Sequence, residues 1–241
     1  MVIELEWEDL LAGAPVPIQF RGVAPWLLPD ARGGTGILLR TNMGSIRCLF
    51  HKAEEATSAV IWVAGARGGY NGGGGLYPIL SDELTEEGIS SLRLSYRRTN
   101  DFLHCMLDVV AGVNFLQERG YQRVALVGHS FGGAVVVAAA PMCDAVATVV
   151  GLASQTHGAQ YVSLVSPRPL LLIHGEDDTR LAPHCSQQIF EAALEPKELV
   201  LYPGTGHNLR ECRDQLHPLL KTWLVDKLRG DRGGARRTEG R

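Results

Sequence analysis

The sequence predicts an α/β fold: a mostly parallel, doubly wound sheet that begins with an antiparallel hairpin and carries helices on both faces. Two observations carry this. Strand-like and helix-like segments alternate through most of the 241 residues, and parallel strands need crossover connections that bury both faces of a sheet. The run at 59–64 is continuously apolar and the run at 170–174 is apolar up to His174, which suits strands covered on both sides. The chain is 45% hydrophobic and 20% charged, enough for one sizeable core, so residues 1–228 are expected to form a single domain.

The elements follow in order. Residues 37–40 and 46–50, joined by Thr41-Asn42-Met43-Gly44, form the expected hairpin. Residues 59–64 are a strand that runs into a glycine-laden loop, 65–75. A helix is expected over 76–87, with Leu76, Ile79, Leu80 and Leu84 on one face and Gly88 ending it. Residues 89–94 form a strand. Asn100 is placed to cap a helix over 101–119, along which Phe102, Met106, Val109, Val113 and Leu116 recur at helical spacing until Gly120 stops it. The strand 124–127, a turn and the helix 134–140 come next. Strands at 145–152, 170–174 and 198–202 follow, with helices at 183–194 and 210–228; the last turns Leu216, Leu220, Trp223 and Leu224 inward. Before the hairpin, residues 1–36 carry Pro15, Pro17, Pro25 and Pro29 and form an extension expected to wrap the domain or to meet a second subunit in a homodimer. The tail, 229–241, has no aliphatic residue beyond Ala235 and is expected to be disordered.

Composition excludes several partner classes. A net charge of −3 offers no electrostatic reason for nucleic acid, and no apolar run approaches the roughly 18 residues of a membrane span. Acids stand at Glu4 and Glu6 where a secretory signal would carry lysine or arginine. Five cysteines, odd in number and without a C-x-x-C, suit buried reduced thiols, and a cytoplasmic location is expected. His51, His104, His184 and His217 lack metal-ligand spacing, so no metal and no cofactor is expected. Asn71-Gly72-Gly73-Gly74-Gly75 precedes a helix but lacks the Gly-Lys-Ser/Thr of a phosphate loop; it is expected to be a mobile rim.

Chemistry concentrates at Gly128-His129-Ser130-Phe131-Gly132-Gly133, between a β-branched run and a helix-forming run. A nucleophile presented on a strand-to-helix turn is held in a strained conformation, and glycines two before and two after it keep strand and helix from colliding. Ser130 is the candidate nucleophile. A serine hydroxyl needs an adjacent base, itself oriented by an acid. Strand 170–174 runs into Gly175-Glu176-Asp177-Asp178, three carboxylates on one loop, and strand 198–202 runs into Pro203-Gly204-Thr205-Gly206-His207. His207 is the candidate base, and spacing alone leaves the acid open among the three carboxylates. His129 is expected to pack or hydrogen-bond beside the nucleophile, and His174 to support the acid loop.

With these motifs the chain resembles an α/β-hydrolase, and is most similar to small, lidless dienelactone-hydrolase-like and carboxylesterase-like members. The resemblance spans about residues 37–228 and rests on the elbow, on His174-Gly175-Glu176-Asp177-Asp178, and on Gly204-Thr205-Gly206-His207. It implies Asp178 as the acid, by the family's register of His-Gly, two variable residues and Asp. It also implies that the Phe131 amide is one oxyanion donor and the Ala66 amide the other, with Arg67 competing for the second place. Relatives often read His-Gly where this chain has Ala64-Gly65-Ala66-Arg67. Serine at 130 departs from true dienelactone hydrolases, which use cysteine, and makes esterase or thioesterase the better expectation; a peptidase, an acyltransferase and an idle binding module remain alternatives.

Only residues 153–168 lie where larger relatives insert a lid, so no cap domain is expected and short acyl esters are favoured over long-chain ones. His157 is a candidate substrate contact on that rim. Arg67 and Arg97 are candidate contacts for a small-molecule ester substrate, with Tyr96-Arg97-Arg98 following a strand at the sheet edge where ligands bind.

Overall fold

A computed structural model of the protein describes residues 18–26 and 33–229. Among these residues nine strands form one sheet: β1 (Phe20–Pro25), β2 (Thr35–Thr41), β3 (Gly44–His51), β4 (Ser58–Val63), β5 (Ile89–Ser95), β6 (Arg123–His129), β7 (Val146–Leu152), β8 (Leu170–Gly175) and β9 (Lys197–Tyr202). Their order is β1-β2-β3-β5-β4-β6-β7-β8-β9. β1 to β3 and the β3/β5 pair are antiparallel, while β5, β4, β6, β7, β8 and β9 run parallel. This is an α/β-hydrolase fold, the class expected from the alternating segments.

Among the described residues five α-helices cover the sheet: α1 (Leu76–Glu86), α2 (Phe102–Gln117), α3 (Phe131–Ala139), α4 (His184–Ala192) and α5 (Arg213–Arg229). Each parallel strand supplies side chains to both faces, so two cores form. Ile61, Leu126 and Leu172 pack with α2, α3 and α4 on one side; Val60, Trp62, Val127 and Leu171 pack with α1 and α5 on the other. All six residues of β4 and of β8 are buried, which explains the apolar runs 59–63 and 170–173 within them. Cys48, Cys105, Cys143 and Cys212 are buried in these cores. Between β7 and β8 there is a single 3-10 segment, Ala159–Val165, and no cap domain. Among the described residues no helix is long and apolar enough to cross a membrane.

Three expectations need correction. Residues 20–25, expected within an extension, form the edge strand β1, paired antiparallel with β2; the remainder of that extension, 1–17 and 27–32, and the tail from 230 lie outside the described residues. The cap of α2 is Asp101, whose carboxylate accepts the His104 amide, while Asn100 sits at a left-handed φ of 61°. The glycine run is a packed rim: a Cβ on Gly72 would lie 2.5 Å from the Tyr77 ring, and one on Gly74 would lie 2.8 Å from the Leu209 carbonyl oxygen.

The strand order also sets where a site can form. β4 connects to β5 on one side while β6 lies on its other side, so the chain reverses its winding between β4 and β6. The crevice at the carboxyl ends of such a pair is where open α/β sheets bind ligands.

Candidate active site

Three loops meet at that crevice. The first is the elbow between β6 and α3. Val63 of β4 is in register with Gly128, so the turn after β4 faces residues 129–130. Ser130 has φ 58° and ψ −118°, a strained conformation for a residue with a Cβ. Packing enforces it. A Cβ on Gly128 would stand 2.1 Å from the Gly132 carbonyl oxygen, and one on Gly132 would stand 2.4 Å from the Ala64 carbonyl oxygen. Neither glycine can be replaced without moving backbone.

The second loop follows β8 and the third follows β9, and they cross closely because residue 175 is glycine: a Cβ there would lie 2.2 Å from the Thr205 carbonyl oxygen. The Asp177 amide donates to that same oxygen at 2.9 Å. Glu176 and Asp177 are exposed, whereas Asp178 is buried. Its Oδ1 accepts the amides of Arg180 at 2.8 Å and Leu181 at 3.0 Å. Its Oδ2 accepts from His207 Nδ1 at 2.6 Å. The other ring nitrogen, His207 Nε2, is 3.0 Å from Ser130 Oγ. Burial alone would raise the Asp178 pKa, but the Leu181 amide, the His207 side chain and the Arg180 amide together hold it below the ordinary carboxylate value.

The structure thus brings together Ser130, His207 and Asp178, from three separate loops, in one hydrogen-bonded chain. Ser130 and His207 lie on a hollow of about 300 Å³. The turn after β4 forms its wall: Gly68 N donates to Gly65 O at 2.9 Å, so Ala66 and Arg67 are the central turn residues. A Cβ on Gly65 would be 3.9 Å from Ser130 Oγ, which measures how closely this backbone approaches the hydroxyl. Phe131 is the first residue of α3, so its amide has no acceptor within the helix.

Two tyrosines outside any sequence motif, and the two histidines that the motifs contain, support this arrangement. The hydroxyls of Tyr77 and Tyr96 donate to the carbonyl oxygens of Val63 and Ala64, each at 3.1 Å, anchoring the end of β4 from both sides. His129 donates from Nε2 to the His207 carbonyl oxygen at 2.9 Å. Burial pushes the His129 pKa down to about 4, so it is neutral at pH 7 and serves as a fixed donor. His174 also reaches Asp178, its Nε2 being 3.1 Å from Oδ2.

Two candidate substrate contacts lie elsewhere. Arg97 is bound by Asp108 through its Nε and its backbone amide, and by the Met43 carbonyl oxygen at 2.6 Å; it lines a separate hollow with Arg47 and Arg98. A buried aspartate on α2 has taken the guanidinium that the loop position seemed to offer a substrate. His157 is exposed and packs edge-on against Phe102, with ring centroids 4.4 Å apart, outside the lining of the Ser130 hollow. Arg67 does line it, as does Arg180.

A second hollow, about 330 Å³, adjoins the first and shares Asn71, His129 and Asn208 with it; the glycine run and Arg210 complete its lining. Among the residues lining the two, the apolar side chains are Ala64 and Ala66 alone. Among the described residues, no group of three or more His, Cys, Asp or Glu is placed to hold a metal ion.

Known proteins share this arrangement of elements. Dienelactone hydrolase from Anabaena variabilis superposes with a TM-score of 0.72 at 18% identity, covering 81% of this chain and 98% of that one. Est1E from Butyrivibrio proteoclasticus superposes with a TM-score of 0.70 at 14% identity, covering 82% of this chain and all of the other. In sequence, the chain is 30% identical over 126 aligned positions to the uncharacterized protein YfhR of Escherichia coli O157:H7, a match that covers 42% of this chain and 44% of that protein; it thus spans less than half the length of that relative. Residues 89–217, more than half of the chain and including the elbow, the acid loop and His207, match the dienelactone hydrolase family. The chain therefore belongs to the dienelactone hydrolase family, and it carries serine at position 130.

Proposed function

We propose that this protein is a serine hydrolase that cleaves small carboxylic esters or thioesters through an acyl-enzyme. One observation carries the reading: Ser130 Oγ, His207 and Asp178 form an unbroken chain of hydrogen bonds, 3.0 and 2.6 Å long, that begins at a hydroxyl on an open hollow. In this reading Ser130 Oγ attacks the substrate carbonyl while His207 Nε2 takes its proton. Asp178, kept ionised, orients the ring and balances the imidazolium. The tetrahedral oxyanion accepts from the Phe131 amide and, across the hollow, from the Ala66 amide; one such donor is worth about 3 to 4 kcal/mol of barrier. His207 returns the proton to the departing alkoxide or thiolate. Water then enters by the same base-assisted route, and the acid leaves with Ser130 regenerated.

Substrate size follows from the lining. Two adjoining hollows without a large apolar side chain give little free energy for burying an alkyl chain, so short and polar acyl groups are favoured, with Arg67 and Arg180 in reach of the bound ester. The names of the superposed structures, a dienelactone hydrolase and an esterase domain from Rhodothermus marinus, agree with ester chemistry. The test pairs an organophosphonate probe with turnover of a short aryl ester, on wild type and Ser130→Ala. Labelling and turnover in the wild type, both lost in the variant, are the expected results. Labelling without turnover would favour an acyltransferase or a binding module, and neither would defeat the enzyme reading.

A further inference from the structure

The acid of the site has a second imidazole partner that the reaction just described does not use. His174, at the end of β8, is fully buried, with its Nε2 between two acceptors, Asp178 Oδ2 at 3.1 Å and the Leu181 carbonyl oxygen at 3.0 Å. Its Nδ1 lies 2.6 Å from the hydroxyl of Ser186, another fully buried group, on α4. These partners decide the tautomer. A lone pair on Nε2 would face a carboxylate and a carbonyl with no proton between them, so the proton sits on Nε2. The Ser186 hydroxyl, free to rotate, then donates to Nδ1 and holds that tautomer.

We propose that Ser186 and His174 are positioning residues for the reaction, a buried relay that fixes the carboxylate of Asp178 from behind. The consequence follows from counting donors. Oδ1 takes two amides, those of Arg180 and Leu181; Oδ2 takes His207 in front and His174 behind. A carboxylate with four donors has one orientation and little basicity left, so the proton shared with His207 stays on the imidazole as positive charge develops there. Without His174, Oδ2 would have a vacant lone pair in a dry pocket and would compete with His207 for that proton. Ser186 acts one step further out, as an outer partner that sets ring orientation, much as outer ligands orient metal-binding histidines.

This inference rests on the proposed hydrolase reading, and the test separates the two. The readouts are the far-downfield proton NMR resonance of His207 Nδ1–H, which needs no substrate, and kcat and KM for a short aryl ester. His174→Phe keeps a planar ring and removes both nitrogens; its resonance is expected to move and kcat to fall roughly ten- to hundredfold, with KM within about twofold. His174→Gln, whose amide can place an N–H near Nε2, is expected to restore most of both. Ser186→Ala removes one hydroxyl, tolerable even if the ring variant fails to fold, and is expected to shift the resonance and lower kcat a few-fold. A folded His174→Phe or Ser186→Ala protein with the wild-type resonance and wild-type kcat would overturn the relay. Wild type with the resonance, sensitive to both variants but without ester turnover, would uphold the relay and defeat the esterase reading instead.

Discussion

The parallel half of the sheet carries a histidine–aspartate pairing at His207 and the antiparallel half carries another at His51, and only the first of these can act as a base. At the parallel end, His207 Nδ1 meets Asp178 at 2.6 Å and its Nε2 faces the hydroxyl of Ser130. At the antiparallel end, His51 Nδ1 meets Asp82 at a similar 2.7 Å, but its Nε2 accepts the Nε–H of Arg93 at 3.1 Å, and Arg93 also donates to the Gly33 carbonyl oxygen. A guanidinium does not release its proton in a protein. Burial, and then the Arg93 charge, push the His51 pKa down, so this second chain closes on itself and serves structure. A His–Asp contact therefore says little until the third partner is known: one network ends in a group that can lose a proton, the other in one that cannot.

Substituting one member of each pairing separates the two networks most strongly. Asp178→Asn leaves the shape intact but cannot accept from His207 in the same way, and kcat is expected to fall on the order of 10⁴-fold, measured as steady-state ester turnover. His51→Leu, at the other pair, is expected to leave kcat unchanged while costing roughly 3 kcal/mol in urea unfolding, because Arg93 loses an acceptor in a buried setting. If both variants lost activity equally, the two networks would not differ in kind.

Gly128→Ala tests how far the elbow depends on steric room. Its Cβ would lie 2.1 Å from the Gly132 carbonyl oxygen and 2.7 Å from the Gly133 nitrogen, both backbone. A loss of roughly 4 kcal/mol or more is expected in chemical denaturation, or failure to accumulate as folded protein; a near-neutral result would mean that the strand and helix are less tightly joined than described.

The smallest effect at neutral pH concerns His129. Its folded pKa, about 4, lies below its ordinary value of 6.5, so the unfolded chain takes up the proton first as pH falls. That drains stability between pH 6.5 and about 4 and changes nothing above 6.5. His129→Gln, able to keep a donor toward the His207 carbonyl, is expected to match wild type at pH 7 and to exceed it by roughly 3 kcal/mol near pH 4. Thermal unfolding followed across that range would show converging curves upward in pH; parallel curves would contradict the depressed pKa.

The centre of the sheet's parallel half was legible because β4, β6, β7 and β8 are buried on both faces and so appear as largely apolar runs. β1 was not, since Gly22 and Pro25 interrupt its six residues; an edge strand tolerates both, as half its hydrogen-bonding groups point away from the sheet. Within the site, Ser130 and His207 stood out by position at strand ends. Asp178 could be chosen over its two acidic neighbours only by family register, and burial supplies the physical reason, since Glu176 and Asp177 face solvent. Arg97 misled for a converse reason. Its partner Asp108 sits in the middle of the apolar stretch of α2, and a lone carboxylate among Leu107, Val109 and Val110 was the available signal that a cation nearby was already taken. His174 and Ser186 are joined by side chains across twelve residues, and no spacing rule connects them.

The most direct test of the account is to find where the acyl group goes. Wild type mixed with a short aryl ester, quenched in acid within the first turnovers and digested for peptide mass analysis, is expected to carry the acyl group on Ser130. Ser130→Ala is expected to carry none and to turn over no ester. Undiminished hydrolysis by that variant, or an acyl group mapped to another residue, would contradict the claim that the chain from Asp178 through His207 to Ser130 is the working part of this protein.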